Sequence, residues 1–205
     1  MSRGRVAAIV VIAVLVPLAL LGAILVANRD DGRDADASTT TMPTMAGIMS
    51  EDMPMPEGAV VAGKADVGAT APDFMLPEIG GGNVRLSELR GTPVVVTFYA
   101  SWCYECTQEL PRLQQMHTER GDDVAIVGVS YRDLFGDARD FVDDLGVAYP
   151  MLHDDDNGVA GAYGVRAIPQ TFFIDADGVV RAREFGVQSE DRLDERVDEI
   201  AGPAA

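Results

Sequence analysis

The stretch PVVVTFYASWCYEC spans residues 93–106 and joins two unlike patterns. Residues 93–100 form a near-continuous β-branched and aromatic run, which suits a strand buried on both faces of a sheet. SWCYECTQELPRLQQMHTER then reads as a helix over 101–120, with Leu110, Leu113 and Met116 at helical spacing and a kink expected at Pro111. The chain's two cysteines, Cys103 and Cys106, sit at this junction. A thiol at a helix start faces free backbone N–H groups and the positive end of the dipole, which stabilise a thiolate. Cys103 is therefore expected to be an exposed nucleophile. Cys106, about one turn further on, can close a disulfide with it and act as the resolving thiol. A metal site would require both His117 and His153, neither at finger-like spacing, so no metal or other cofactor is expected. A purely structural bridge is disfavoured because so short a loop removes little chain entropy.

Outward from this junction, strand and helix signals alternate. NVRLSELRG, after the Gly80-Gly81-Gly82 turn, reads as a short hairpin strand through Val84 and Leu86. Residues 124–130 read as a second buried strand and 137–145 as a helix, the signature of a parallel βαβ crossover. A short strand over 149–152 and a short helix over 158–163 follow. Strands over 171–174 and 179–184 flank the turn Asp175-Ala176-Asp177-Gly178, and a last helix begins near Ser189 and ends at Gly202-Pro203. The expected architecture is α/β, a mixed sheet with helices on both faces.

Upstream, residues 6–27 are 22 consecutive uncharged residues. As a helix they would span roughly 33 Å, enough for a hydrocarbon core. Arg3 and Arg5 precede the run and RDDGRDAD follows it, so charge asymmetry predicts a single-pass signal anchor in the cell membrane with a short cytoplasmic stub and an extracytoplasmic domain. A cleaved signal peptide is the competing reading, but its apolar region is usually shorter. Residues 28–66, acidic and without apolar periodicity, are expected to be a flexible tether. Met42, Met45, Met49, Met53 and Met55 cluster there, and thioethers at such spacing suit Cu(I). Residues 67–205 are the right size for one compact domain and carry eleven bases against 25 acids, net −14. The whole chain, at −17, has the wrong sign for a nucleic-acid binder, and its 47% hydrophobic content excludes a disordered chain.

SWCYEC after VVVTFYA, Ile168-Pro169 after YGVRA, and APDFML with LSELRG resemble the extracytoplasmic thioredoxin-like proteins of the TlpA, ResA and CcmG/DsbE group over about residues 67–200. The resemblance implies a thioredoxin fold with an amino-terminal β-hairpin and a central insertion. It also implies a thiol-disulfide oxidoreductase that reduces disulfide-containing client proteins, among them apocytochrome c in cytochrome c maturation, with a membrane thiol reductase as electron donor. Pro169 matches the family's cis-proline and Ile168 its substrate-binding neighbour, while Trp102 matches the aromatic beside the site. Glu109 matches the active-site glutamate in Cys-x-x-Glu-x-Pro. At i+3 from Cys106 it is expected either to relay that thiol's proton or to be a solvated helix residue. Thr97 stands where ordinary thioredoxins carry a buried aspartate, and Tyr104-Glu105 replaces a Pro-containing dipeptide.

Three alternatives bound this reading. A peroxiredoxin shares the APDF opening but would carry Thr where Ala100 stands, and an oxidase of the DsbA kind would carry a larger helical insertion. From another class, a copper-binding assembly factor for a respiratory oxidase would use the methionine cluster. Tyr131, Arg132 and Asp133 are candidates for lining a substrate cleft, and the run Asp154-Asp155-Asp156 is expected to be solvated.

Overall fold

In the computed structural model, which describes Val60 and residues 63–202, a two-stranded antiparallel hairpin precedes a five-stranded sheet. The hairpin strands are β1 (Met75–Pro77) and β2 (Asn83–Arg85). Leu86, expected in the second strand, instead opens a 3-10 turn over Leu86–Leu89. The Asp73 carboxylate causes this by accepting from Ser87 N and Ser87 Oγ, both at 2.8 Å, and from Arg85 Nε.

The large sheet contains β3 (Val94–Tyr99), β4 (Ala125–Ser130), β5 (Met151–Leu152), β6 (Gln170–Ile174) and β7 (Val180–Phe185), in the order β5-β4-β3-β6-β7. All six β3 residues are buried, as the unbroken apolar run requires of a central strand. β3 pairs in parallel with β4 and antiparallel with β6. The helices are α1 (Cys106–Arg120), α2 (Phe135–Leu145), α3 (Gly158–Ala162) and α4 (Glu190–Ala201). α2, β5 and α3 all lie between β4 and β6.

Two cores result from the alternation along β3. Val94, Val96 and Phe98 face the hairpin and α3, where the Phe98 ring lies 5.4 Å from Tyr163 and 5.8 Å from Phe172. Val95 and Tyr99 face Leu110 and Leu113 of α1, Val142 of α2 and Leu193 of α4. Each such side chain, fully buried, contributes about 1.5–3 kcal/mol, and this burial holds a fold whose one disulfide closes only a four-residue loop.

Several boundaries differ from the sequence reading. α1 begins at Cys106 and runs through Pro111 without a break, while residues 101–105 form turns. Ala65, assigned to the tether on composition, is buried in the first core and donates its N–H to Ala162 O, and Val60 bridges to Phe74. Asp154 is not solvated: it is buried and caps α3, accepting from Val159 N at 3.3 Å and Ala160 N at 2.8 Å. Burial nevertheless pushes its carboxyl above the ordinary range, outweighing those bonds. The apolar run at 6–27 and the methionine cluster at 42–55 lie outside the described residues. Among the described residues no helix is long and apolar enough to cross a membrane.

Candidate active site

β3 ends at Tyr99, and the chain then turns twice before α1, with Cys103 N donating to Ala100 O and Cys106 N to Cys103 O. The cysteines are joined, with Sγ–Sγ 2.11 Å and Cα–Cα 5.3 Å. Cys106 N also lies 3.2 Å from Cys103 Sγ, so the first N–H of the helix is aimed at the sulfur that sequence spacing marks as the nucleophile. Exposure corrects one expectation. Cys103 is only 4% accessible and Cys106 is fully covered, because the turns fold the first sulfur back toward the helix. Cys103 is still the more accessible of the two, and any attack reaches the bridge through it.

Glu109 is fully buried on the core side of α1. Its Oε1 accepts from Thr171 Oγ1 at 3.2 Å and its Oε2 from Gln188 N at 2.7 Å, so the solvated-residue alternative is excluded. Thr171 Oγ1 is also 3.0 Å from Thr97 Oγ1, and the two threonines are register partners in the β3/β6 pair. Thr97, at the place of the absent aspartate, thus connects through Thr171 to a carboxylate supplied by the helix. Burial raises the Glu109 carboxyl above its ordinary range, opposed by the Gln188 and Thr171 bonds and the charge of Arg112.

The Ile168–Pro169 peptide is cis. Gln170 pairs with Phe98, so Pro169 lies opposite the carboxyl end of β3, the end from which the cysteine loop leaves. Ile168 is half-buried and packs against both cores, including the one that holds Cys103 and Cys106. Gly186 N donates to Pro169 O at 2.9 Å, tying this loop to the segment after β7.

Trp102 is 60% exposed, its Nε1 donating to Arg132 O at 3.2 Å and its ring 6.5 Å from that of Tyr131. Asp133 accepts from Ser101 N at 2.5 Å, from Ser101 Oγ at 2.8 Å and from Leu134 N at 3.1 Å. The loop of Tyr131, Arg132 and Asp133 is therefore fastened to the cysteine loop. Tyr104 and Leu134, on or next to these two loops, and Phe135 at the start of α2 are exposed like Trp102. His117 and His153 are not brought together with the cysteines: His117 stacks edge-on against Tyr149, and His153 Nδ1 is 3.0 Å from Ser130 Oγ. Among the described residues no group of three or more His, Cys, Asp or Glu is arranged to hold a metal.

Thr171, Gln188, Arg112 and the Ser101–Asp133 tie escape the sequence reading. The two threonines left a trace, each a polar residue within an apolar strand run; the backbone of residue 188 left none.

The family model for the AhpC/TSA family matches residues 67–183. A thiol-disulfide oxidoreductase ResA from Bacillus subtilis (strain 168) is 32% identical over 138 residues, covering 66% of this chain and 77% of that one. Among solved structures, one from Chlorobium tepidum described as a thiol:disulfide interchange protein DsbE has a TM-score of 0.63 at 31% identity, covering 67% of this chain and 99% of its own. A secreted Mycobacterium tuberculosis disulfide oxidoreductase homologous to E. coli DsbE has a TM-score of 0.56 at 28% identity, covering 62% and 95%.

Proposed function

Because the chain belongs to the AhpC/TSA family and is a thiol-disulfide oxidoreductase of ResA/DsbE type, we propose that it works outside the cytoplasm as a reductase of client disulfides. The observation that carries this reading is the Cys103–Cys106 bridge at a strand-to-helix junction with the buried Glu109 one turn along the same helix. In the reduced protein, the Cys103 thiolate attacks a client disulfide, forming a bond from its sulfur to one client sulfur and releasing the other as thiolate. Glu109 takes the Cys106 proton, and the Cys106 thiolate then attacks Cys103 Sγ, closing the bridge and freeing the second client sulfur. The client leaves with two electrons more and the enzyme with two fewer. Trp102, Ile168 and Pro169 form the surface against which an extended client lies.

Two acids favour the reducing direction. Glu105, between the cysteines, disfavours negative charge on Cys103, and Glu109 does the same at Cys106, so the dithiol loses relative to the disulfide. Each ~1.4 kcal/mol of this bias lowers the two-electron potential by about 30 mV. The helix end acts in the opposite sense. Residues 6–27 serve in this reading as a membrane anchor, a membrane thiol reductase supplies the electrons, and apocytochrome c is among the clients, as the resemblance to the cytochrome c maturation branch implies. Equilibration against a glutathione or dithiothreitol buffer tests the direction: a potential nearer ~−270 mV than ~−120 mV is expected, and a value at the oxidising end would overturn it.

A further inference from the structure

Residue 188 is fastened to α1 on both sides of its Cα. Its N–H donates to Glu109 Oε2 at 2.7 Å, and its carbonyl accepts from Arg112 Nη1. The two partners are three residues apart and so share a helix face. The Gln188 side chain turns back on its own loop, Nε2 donating to Phe185 O and Gly186 O at 3.0 and 2.8 Å, so only backbone reaches α1. We propose that Arg112 is a positioning residue, which by holding the Gln188 carbonyl keeps the adjacent N–H aimed at Glu109 and so sets proton transfer at Cys106. The effect on Cys106 rests on the reading of Glu109 as that thiol's proton acceptor.

A main-chain N–H delivered into a buried site favours the ionised carboxylate, and the guanidinium adds its charge in the same sense. Both oppose the burial that raises Glu109. The other groups facing Glu109 are the Thr171 hydroxyl from β6 and the Tyr149 phenol from the segment before β5, whose ionisation Glu109 and burial both disfavour; Cys106 lies one turn before Glu109 on the same helix. On its outer side Arg112 lines an open depression with Val187, Ser189, Glu190 and Asp191, so the α4 carboxylates lie on the side of the guanidinium away from the core. Half-buried there, Arg112 can be replaced without opening either core.

The test compares the parent with Arg112→Met, Arg112→Lys, Glu109→Gln and Arg112→Met/Glu109→Gln. The Glu109 carboxyl is titrated by carbon-13 NMR, and thiol alkylation by iodoacetamide is followed against pH. Arg112→Met should move the Glu109 titration up by about 1 pH unit, a tenfold gain in proton affinity, with Arg112→Lys restoring part of it. The double variant should match Glu109→Gln alone in the alkylation profile. A Glu109 titration that Arg112→Met leaves in place, even with a lowered melting temperature, would overturn the proposal. A titration that moves while Glu109→Gln leaves the alkylation profile unchanged would instead retain Arg112 as the residue that positions Glu109 and remove the proton-transfer role of Glu109.

Discussion

The backbone N–H of Cys106 lies 3.2 Å from the sulfur of Cys103, whereas Cys106 itself is fully buried one helical turn before a buried carboxylate. The first sulfur has a donor waiting for negative charge, and the second has an acid below it that repels such charge. The two thiols are therefore unequal before any client arrives. Cys106→Ser should accumulate mixed disulfides with clients through Cys103, and Cys103→Ser should accumulate few. Equal trapping, read on non-reducing gels and identified by mass spectrometry, would remove this assignment.

Glu109 gives a pH signature of known sign. Its folded-state pKa is raised, chiefly by burial, so the native protein holds this proton more tightly than the unfolded chain does. The contribution is fully present below the unfolded-state value and is lost as pH rises through the higher folded value. Glu109→Gln escapes that loss. The amide, whose oxygen can accept the Gln188 N–H while its nitrogen donates to Thr171 Oγ1, carries no charge, so any deficit it leaves does not itself depend on pH. The stability deficit of the variant, measured by urea unfolding of the oxidised protein, should narrow as pH rises from about 4 to 8. A deficit that widens with pH would mean that the carboxyl is held below its ordinary value.

The Asp133 carboxylate is expected to govern the stiffness of the cysteine loop. It accepts from two backbone N–H groups and one hydroxyl, bridging residues 32 positions apart. Asp133→Ala leaves those donors without their partner and should cost about 1–3 kcal/mol. Asp133→Asn should retain part of the tie. Hydrogen exchange at Ser101 and Leu134 reads the effect directly: protection there should fall in the alanine variant while α4 is unaffected.

Trp102 is the chain's only tryptophan, and it is exposed beside the redox pair. Its emission should change on reduction of the bridge, which makes the parent protein its own redox indicator. Trp102→Ala removes an exposed side chain and should alter stability by no more than about 0.5 kcal/mol. Client reduction should fall through KM rather than kcat if the ring serves docking, and a fall confined to kcat would place its role in the chemistry.

The strand-to-helix junction and the order of elements were legible because the apolar periodicity changes sharply at Ala100, and such periodicity responds to burial alone. Helix starts were less legible. Residues 101–105 look helical by composition, yet Asp133 takes the Ser101 N–H from a loop 32 positions away, and no local pattern encodes that competition. Glu109 and Pro169 could be singled out through motif spacing, but the partners that define the environment of Glu109 come from three separate elements. Thr171 reaches it through sheet register, Gln188 through a main-chain group that carries no residue signature, and Arg112 through helix geometry. Asp154 shows the same limit: one of three consecutive aspartates turns inward because α3 begins four residues later and needs an N-terminal acceptor.

The bond from Gly186 N to Pro169 O leaves residue 169 with little to give to an incoming chain. Proline has no N–H, and here its carbonyl already serves the enzyme's own loop. A client strand crossing this point meets no ladder rung at position 169 and must draw its main-chain contacts from the residues before it. The grip is thus short and blind to most of the client's side chains. Selection then falls on whether a strained or unfolded segment can lay a disulfide against Cys103 at all, so clients would be sorted by their state of folding more than by their sequence.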